Sequence, residues 1–286
     1  MKFNLPADHP ITAKVLGGKK RKGCRIYVGC PVWSEPKLVG RLYPKGTKPK
    51  DFLTFYSRQF NAIELNASGY GMPTDEETDQ WLSEVPPGFV FCPKVPPRIA
   101  KTRPLGKNEE AFAETTRAMH RFGAHLGPAL LQLHPTFKPD RADDLLAFLE
   151  KWDKTIPLHV ELRHEAWFDG SASAETLIES MRKMKIGSTI LQTSGRRDVC
   201  HMALTTPSAF IRFDGHDLHK TDFQRLNQWT DRVTHWIESG LESLYFFVHT
   251  PKYELNPQLA YYFIESLNKK ATLTHPLPHL LVTKGK

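Results

Sequence analysis

The chain has 286 residues, 40% of them hydrophobic and 24% charged, the composition of a globular protein able to bury a sizeable core. Net charge is +8, from 39 Lys and Arg against 31 Asp and Glu, a balance that suits an anionic partner through electrostatic steering. No apolar run approaches the ~18 residues of a membrane span, and "MKFNLPADHP" lacks the apolar stretch of a signal peptide.

Four cysteines (Cys24, Cys30, Cys92, Cys200) are scattered, without a C-x-x-C pair. That spacing argues against a disulfide framework or a structural zinc site, and for a reducing, cytoplasmic setting. Residues 14–25, with "GGKKRKG" inside, concentrate positive charge. They read either as a solvated tail or as an arm that touches a phosphate-rich partner such as nucleic acid.

In chain order, strands are predicted at 25–30, 62–66, 89–95, 128–133, 158–163, 188–193, 209–215 and 244–249. Helices are predicted at 50–60, 74–85, 109–126, 139–154, 173–185, 222–239 and 256–268. Thr74 before Asp75, Glu76 and Glu77 is a helix start with an acidic first turn, and Ser173 reads as a cap. In "LLAFLEKW", Leu145, Leu146, Phe148, Leu149 and Trp152 follow the helical period. The connection 194–208 is polar, with only a short possible helix.

Parallel strands need a returning crossover, so this alternation predicts a parallel sheet. Eight units in one domain predict an α/β fold of the (β/α)8 TIM-barrel kind. An open doubly wound sheet is the alternative, but "VGCPVW" after the first strand carries one glycine and no phosphate loop. The chain then divides into a basic N-terminal extension (1–24), a barrel domain (25–270) and a C-terminal tail (271–286).

Barrel side chains alternate inward and outward, and active sites collect at the C-terminal strand ends. The strand in "LHVELRHEAWF" opens as core and then carries Glu161 and Arg163 on one face. Other strands repeat the pattern: Glu64 with Asn66, Gln132 with His134, and Arg212 with Asp214. Lys94 ends the third strand and His249 the eighth. Unpaired charge inside a barrel is costly, so a mouth or a mutually paired network is where such groups belong. Trp33, Tyr43, Tyr70 and Trp167 follow strands and suit a ligand wall. Each residue also has a plain structural reading. Glu64–Lys94 and Glu161–Arg163 also read as structural ion pairs, His164 as a cap, His134 as a loop residue and Asp214 as a turn residue.

"IYVGCPVWSEPKLVGRLYP", "FYSRQFNAIELNASGYGMP", "FCPKVPPRI", "LLQLHPTF", "VELRHEAWF" and "IRFDG" follow one another much as in the YecE-like family, domain of unknown function 72. The resemblance covers about residues 25–268 and implies TIM-barrel architecture while leaving the reaction open. Glu64, Asn66, Lys94, Glu161 and Arg163 match the family pattern. His134, Asp214 and His249 depart from it, as does Ile99-Ala-Lys101, and the basic extension is additional.

Three functions are compatible with these residues. The first is an enzyme doing acid/base chemistry on a small anionic or polyhydroxyl substrate. Glu64, Lys94, Glu161 and Arg163 would be catalytic, with the two carboxylates split in pKa by unequal pairing. Lys94 or Arg212 would hold a phosphate or carboxylate, and a Schiff base at Lys94 is a further variant. The second is a metal-dependent hydrolase or isomerase using Glu64, His134, Glu161, Asp214 and His249, possibly on a phosphodiester. It lacks a compact ligand motif, and nearby Lys94, Arg163 and Arg212 oppose a bound cation, so a divalent metal is the less favoured cofactor. The third is a non-catalytic protein that binds a ligand or nucleic acid.

Overall fold

A computed structural model describes residues 4–21, 23–66, 71–276 and 278. Eight strands form: β1 (Arg25–Cys30), β2 (Ala62–Leu65), β3 (Val90–Pro93), β4 (Ala129–Gln132), β5 (Leu158–Glu161), β6 (Gly187–Gln192), β7 (Ser208–Asp214) and β8 (Ser243–His249). They lie in the order β3-β2-β1-β8-β7-β6-β5-β4, every pairing parallel. The two ends of that order meet. Val95 N donates to Leu130 O (2.9 Å) and Gly127 N to Phe91 O (2.8 Å), which joins β3 to β4 and closes the barrel.

The helices are α1 (Pro10–Leu16), α2 (Phe52–Tyr56), α3 (Asp75–Glu84), α4 (Pro97–Ala100), α5 (Glu109–Arg121), α6 (Ala142–Lys151), α7 (Ala172–Lys183), α8 (Lys220–Ser239) and α9 (Asn256–Ala271). The buried stripe of α6 is Leu145, Phe148 and Leu149, from the predicted periodic run. Thr74 and Glu77 form a reciprocal capping box on α3, satisfying two backbone donors that the first turn leaves orphaned. The cap of α7 is Ser171 rather than Ser173, because the helix starts earlier than the apolar pattern signals. Among the described residues, no helix forms between β6 and β7.

Residues ahead of β1 are partly folded onto the barrel. Ile11, Thr12 and Leu16 of α1 are buried, Thr12 Oγ1 donates to Met202 O (2.8 Å), and Trp236 Nε1 donates to Asp8 Oδ2 (2.9 Å). Lys14 pairs with Glu179 (3.5 Å) and Arg21 with Glu242, whereas Lys19 and Lys20 are exposed. No helix is long and apolar enough to cross a membrane among the described residues. All four cysteines are free.

Strand alternation sorts the barrel interior into layers. Ala62, Cys92, Leu130, Phe210 and Phe247 share the inward parity and form one apolar cluster with Val90 and Tyr245. Burying each phenylalanine contributes about 2–3 kcal/mol. Two residues further along, the same parity delivers Glu64, Lys94, Gln132, Arg212 and His249. The apolar layer is therefore the platform on which the charged layer stands.

Candidate functional site

Arg212 reaches into the barrel from β7 and ties β2 to β5. Its Nε and Nη2 donate to Glu64 Oε2 (2.9 Å) and Oε1 (3.2 Å) on β2. Its Nη1 donates to Glu161 Oε2 (2.8 Å) on β5. Glu64 also takes Lys94 Nζ (3.2 Å) and His249 Nε2 (3.0 Å), and Glu161 takes Gln132 Nε2 (2.9 Å) and Arg163 Nε (2.7 Å). Both carboxylates are 0% exposed. A buried carboxylate persists only when its oxygens are matched by charge and hydrogen bonds, and here the arginine fork supplies both.

The electrostatics follow from those contacts. Burial alone would raise the Glu64 pKa, but the charges of Arg212 and Lys94, with the hydrogen bond from His249, outweigh it and hold the carboxyl well below its ordinary range. Glu161 is lowered in the same way: burial raises it, Arg212, Arg163 and Lys94 lower it, and Glu64 opposes them. Burial works against the Arg212 charge, yet Glu161 and Glu64 raise its pKa overall. Both carboxyls are lowered, with Arg212 shared between them and the other partners unequal: Lys94 and His249 on Glu64, Arg163 and Gln132 on Glu161.

Above this layer opens a cleft of about 670 Å³ whose walls include Pro31, Trp33, Asn66, Lys101 and Tyr253. Lys94, Gln132, Arg212 and His249 line it, while Glu64 and Glu161 lie beneath them. The cleft floor is thus made of cations, an amide and an imidazole, with the two carboxylates behind them. An ionised Glu64 only accepts, so His249 donates to it through Nε2.

Other sequence candidates fall elsewhere. Tyr43 is 0% exposed, stacks on Phe52 and donates to Trp33 O (2.7 Å), so it supports the cleft wall from behind. Trp167 is buried, its Nε1 donating to Phe137 O (2.7 Å). His134 is exposed and turned onto Thr136, and His164 accepts from Ala166 N as a cap. These four side chains meet local packing and capping demands and line neither mouth chamber. Asn66 Nδ2 donates to Pro31 O (3.3 Å), fixing a wall residue. Asp214 lines a neighbouring chamber with His249. Tyr70 lies outside the described residues. Among the described residues, no three His, Cys, Asp or Glu side chains are placed to hold a metal ion. The cations packed around Glu64 would also repel one.

Lys101 and Tyr253 are cleft residues that the strand-end pattern missed, because Lys101 caps the end of α4 and Tyr253 opens a 3-10 turn beyond β8. Lys101 had a signal: the run from Lys94 to Asn108 carries Lys94, Arg98, Lys101, Arg103 and Lys107 without an acid.

The family model described as a protein of unknown function, DUF72, matches residues 27–281. The chain belongs to the DUF72 family. The UPF0759 protein YecE of Escherichia coli K12 is 28% identical over 262 residues, covering 85% of this chain and 93% of that protein. YunF of Bacillus subtilis is 28% identical over 164 residues, covering 53% and 55%. Among solved structures, a DUF72 protein from Enterococcus faecalis superposes with a TM-score of 0.71 at 18% identity, covering 91% of this chain and 99% of that one. Another, from Thermotoga maritima, gives 0.68 at 22%, covering 85% and 99%. These DUF72 structures share the α/β barrel, and at such identities the likeness concerns the fold.

Proposed function

We propose that the mouth of this DUF72 barrel binds a small anionic substrate and moves a proton on it, with His249 as the acid/base group. The observation that carries this reading is the layering of the site. Two ionised carboxylates lie under the floor, and Lys94, Arg212 and His249 are presented to the cleft. Lys94, Arg163 and Arg212 outnumber Glu64 and Glu161 in the network, so the floor keeps a positive excess for an anion. Lys101 adds to it at the rim.

Glu64 acts as a positioning residue. Its hydrogen bond fixes the ring and tautomer of His249 and stabilises the imidazolium that forms when Nδ1 takes a proton. Trp33 and Tyr253 supply walls that limit water around the exchange.

Calorimetric titration against inorganic phosphate and small phosphorylated and carboxylated compounds tests the binding step. Binding should weaken with salt and disappear in Lys94→Ala while the fold is retained; failure of every such anion to bind overturns the reading. For the proton step, a bound ligand should exchange a hydrogen with deuterated solvent, and His249→Asn should stop exchange without abolishing affinity.

A further inference from the structure

A second chamber of about 570 Å³ adjoins the first, between the loops that follow β6, β7 and β8. His249 and Tyr253 line both chambers, so they form the partition between them. The chemistry on the two sides differs. The first presents Lys94, Lys101 and Arg212. The second presents Thr193, Ser194, Asp214, His216 and Thr221, and its arginine, Arg225, is buried and committed to Asp222 Oδ1 (2.7 Å) and Asp214 O (3.0 Å).

Hydroxyls that donate and accept, together with a carboxylate that only accepts, match a ligand carrying several hydroxyl groups. Among the described residues, the Asp214 carboxylate and the Thr193 and Ser194 hydroxyls have no side-chain hydrogen bond. Tyr253 is 44% exposed, the large apolar side chain that stands out to solvent among the described residues. An aromatic ring at the partition offers a face to the C–H surface of a polyol, which suits the amphipathic character of such a ligand.

Resting on the anion-binding reading of the first chamber, we infer that the two chambers together hold one bipartite ligand, an anionic polyol such as a sugar phosphate or sugar acid. Its phosphate or carboxylate sits over Lys94 and Arg212. Its hydroxyl-bearing part sits against Asp214, Thr193 and Ser194. That arrangement places the atoms joining the two parts beside His249, where a proton transfer would occur. Register supports the coupling, because Asp214 and His249 are direct partners across β7 and β8.

Calorimetry with inorganic phosphate, a hexose phosphate and the unphosphorylated hexose tests the inference on the intact chain. The hexose phosphate should bind at least about tenfold more tightly than phosphate alone. Ser194→Trp, which fills the second chamber, should erase most of that advantage while leaving phosphate affinity within about twofold, and Asp214→Asn should erase most of it without weakening phosphate binding. Lys94→Ala should weaken both anions. Equal affinity for phosphate and hexose phosphate in the native chain, or an advantage that survives both second-chamber variants, overturns the bipartite ligand and leaves the first chamber's reading standing. Loss of all anion binding in the native chain overturns both. A sugar acid binding in place of the phosphate ester supports the inference and identifies the anionic group.

Discussion

His249 Nε2 donates to Glu64 Oε2 over 3.0 Å, although 185 residues separate them in the chain. The register explains the meeting. Gly29 of β1 pairs with Ala62 on one side and Phe247 on the other, so two residues on, Pro31 is level with both Glu64 and His249. The imidazole therefore reaches the carboxylate across the end of β1. Because Glu64 is ionised, the neutral ring is the Nε2–H tautomer. Nitrogen NMR of labelled protein should show that tautomer, and Glu64→Gln should mix the two forms. A native ring protonated on Nδ1 would remove the basis for His249 as a base.

Arg212 is the crossbeam between β2 and β5, and its removal leaves two buried carboxylates short of their shared cation. Arg212→Met should destabilise the fold by about 3–5 kcal/mol, measured by urea denaturation at neutral pH. Adding Glu64→Gln and Glu161→Gln to it should recover much of that loss, because the desolvated charges go with the cation. A cost under about 1 kcal/mol for Arg212→Met would mean the carboxylates are solvated.

The barrel interior also holds a buried histidine. His159 shares the inward parity of Glu161, packs against the Phe210 ring and lies near Ser188 O and Ser208 Oγ (both 3.3 Å). Burial pushes its pKa down to about 4, with the Ser188 carbonyl opposing the shift. The folded state thus binds a proton less readily than the unfolded chain, whose histidines titrate near 6.5. Its contribution is complete above about pH 6.5 and is lost as pH falls from there to about 4, by roughly 3 kcal/mol at most. Unfolding free energy measured across that window should flatten in His159→Gln relative to the native chain. An unchanged slope would show that His159 is already protonated when folded.

Glu64 and Glu161 act in the same direction at lower pH. Their folded pKa values are depressed, so their contribution is present above the ordinary carboxylate range and lost as pH falls through the folded values. In the doubly amidated variant, Glu64→Gln with Glu161→Gln, the part of the acid transition below pH ~4 should be shallower.

Gly29 is where the barrel wall admits no side chain. A Cβ there would collide with Ala62 O and lie 3.0 Å from Tyr56 Oη. The obstacle is the partner strand's backbone, which cannot swing aside as a side-chain tip can. Gly29→Ala should cost about 3 kcal/mol or more and lower the melting temperature, with the Tyr56 Oη contacts to Cys30 N (2.7 Å) and Ala62 O (2.9 Å) the first to part. A melting point unchanged from the native chain would show that β1 can move away from β2.

The eight strands and their parallel pairing were readable from the chain, since alternation and the helix-length crossovers leave few other topologies. Periodicity is a local property, and it found the strands and most helices within a few residues. The docking of α1 escaped it because Ile11, Thr12 and Leu16 are buried by distant segments. The same limit applied to the aromatics. Tyr43 and Trp167 sit where a ligand wall is expected, but whether a ring faces a cleft or the core depends on what packs behind it.

By itself, then, the sequence determined the family, the alternating α/β order and the inward parity that puts Glu64, Lys94, Gln132, Glu161, Arg212 and His249 at one end of the strands. Parity says which way a side chain points and nothing about what it meets across the barrel. Only the closed tertiary structure decided that Arg212 joins Glu64 to Glu161, that both carboxylates lie beneath the floor, and that His249 takes its partner from β2. Those contacts depend on barrel closure and strand stagger, which bring residues from six strands to one level and are set by the pairing of all eight.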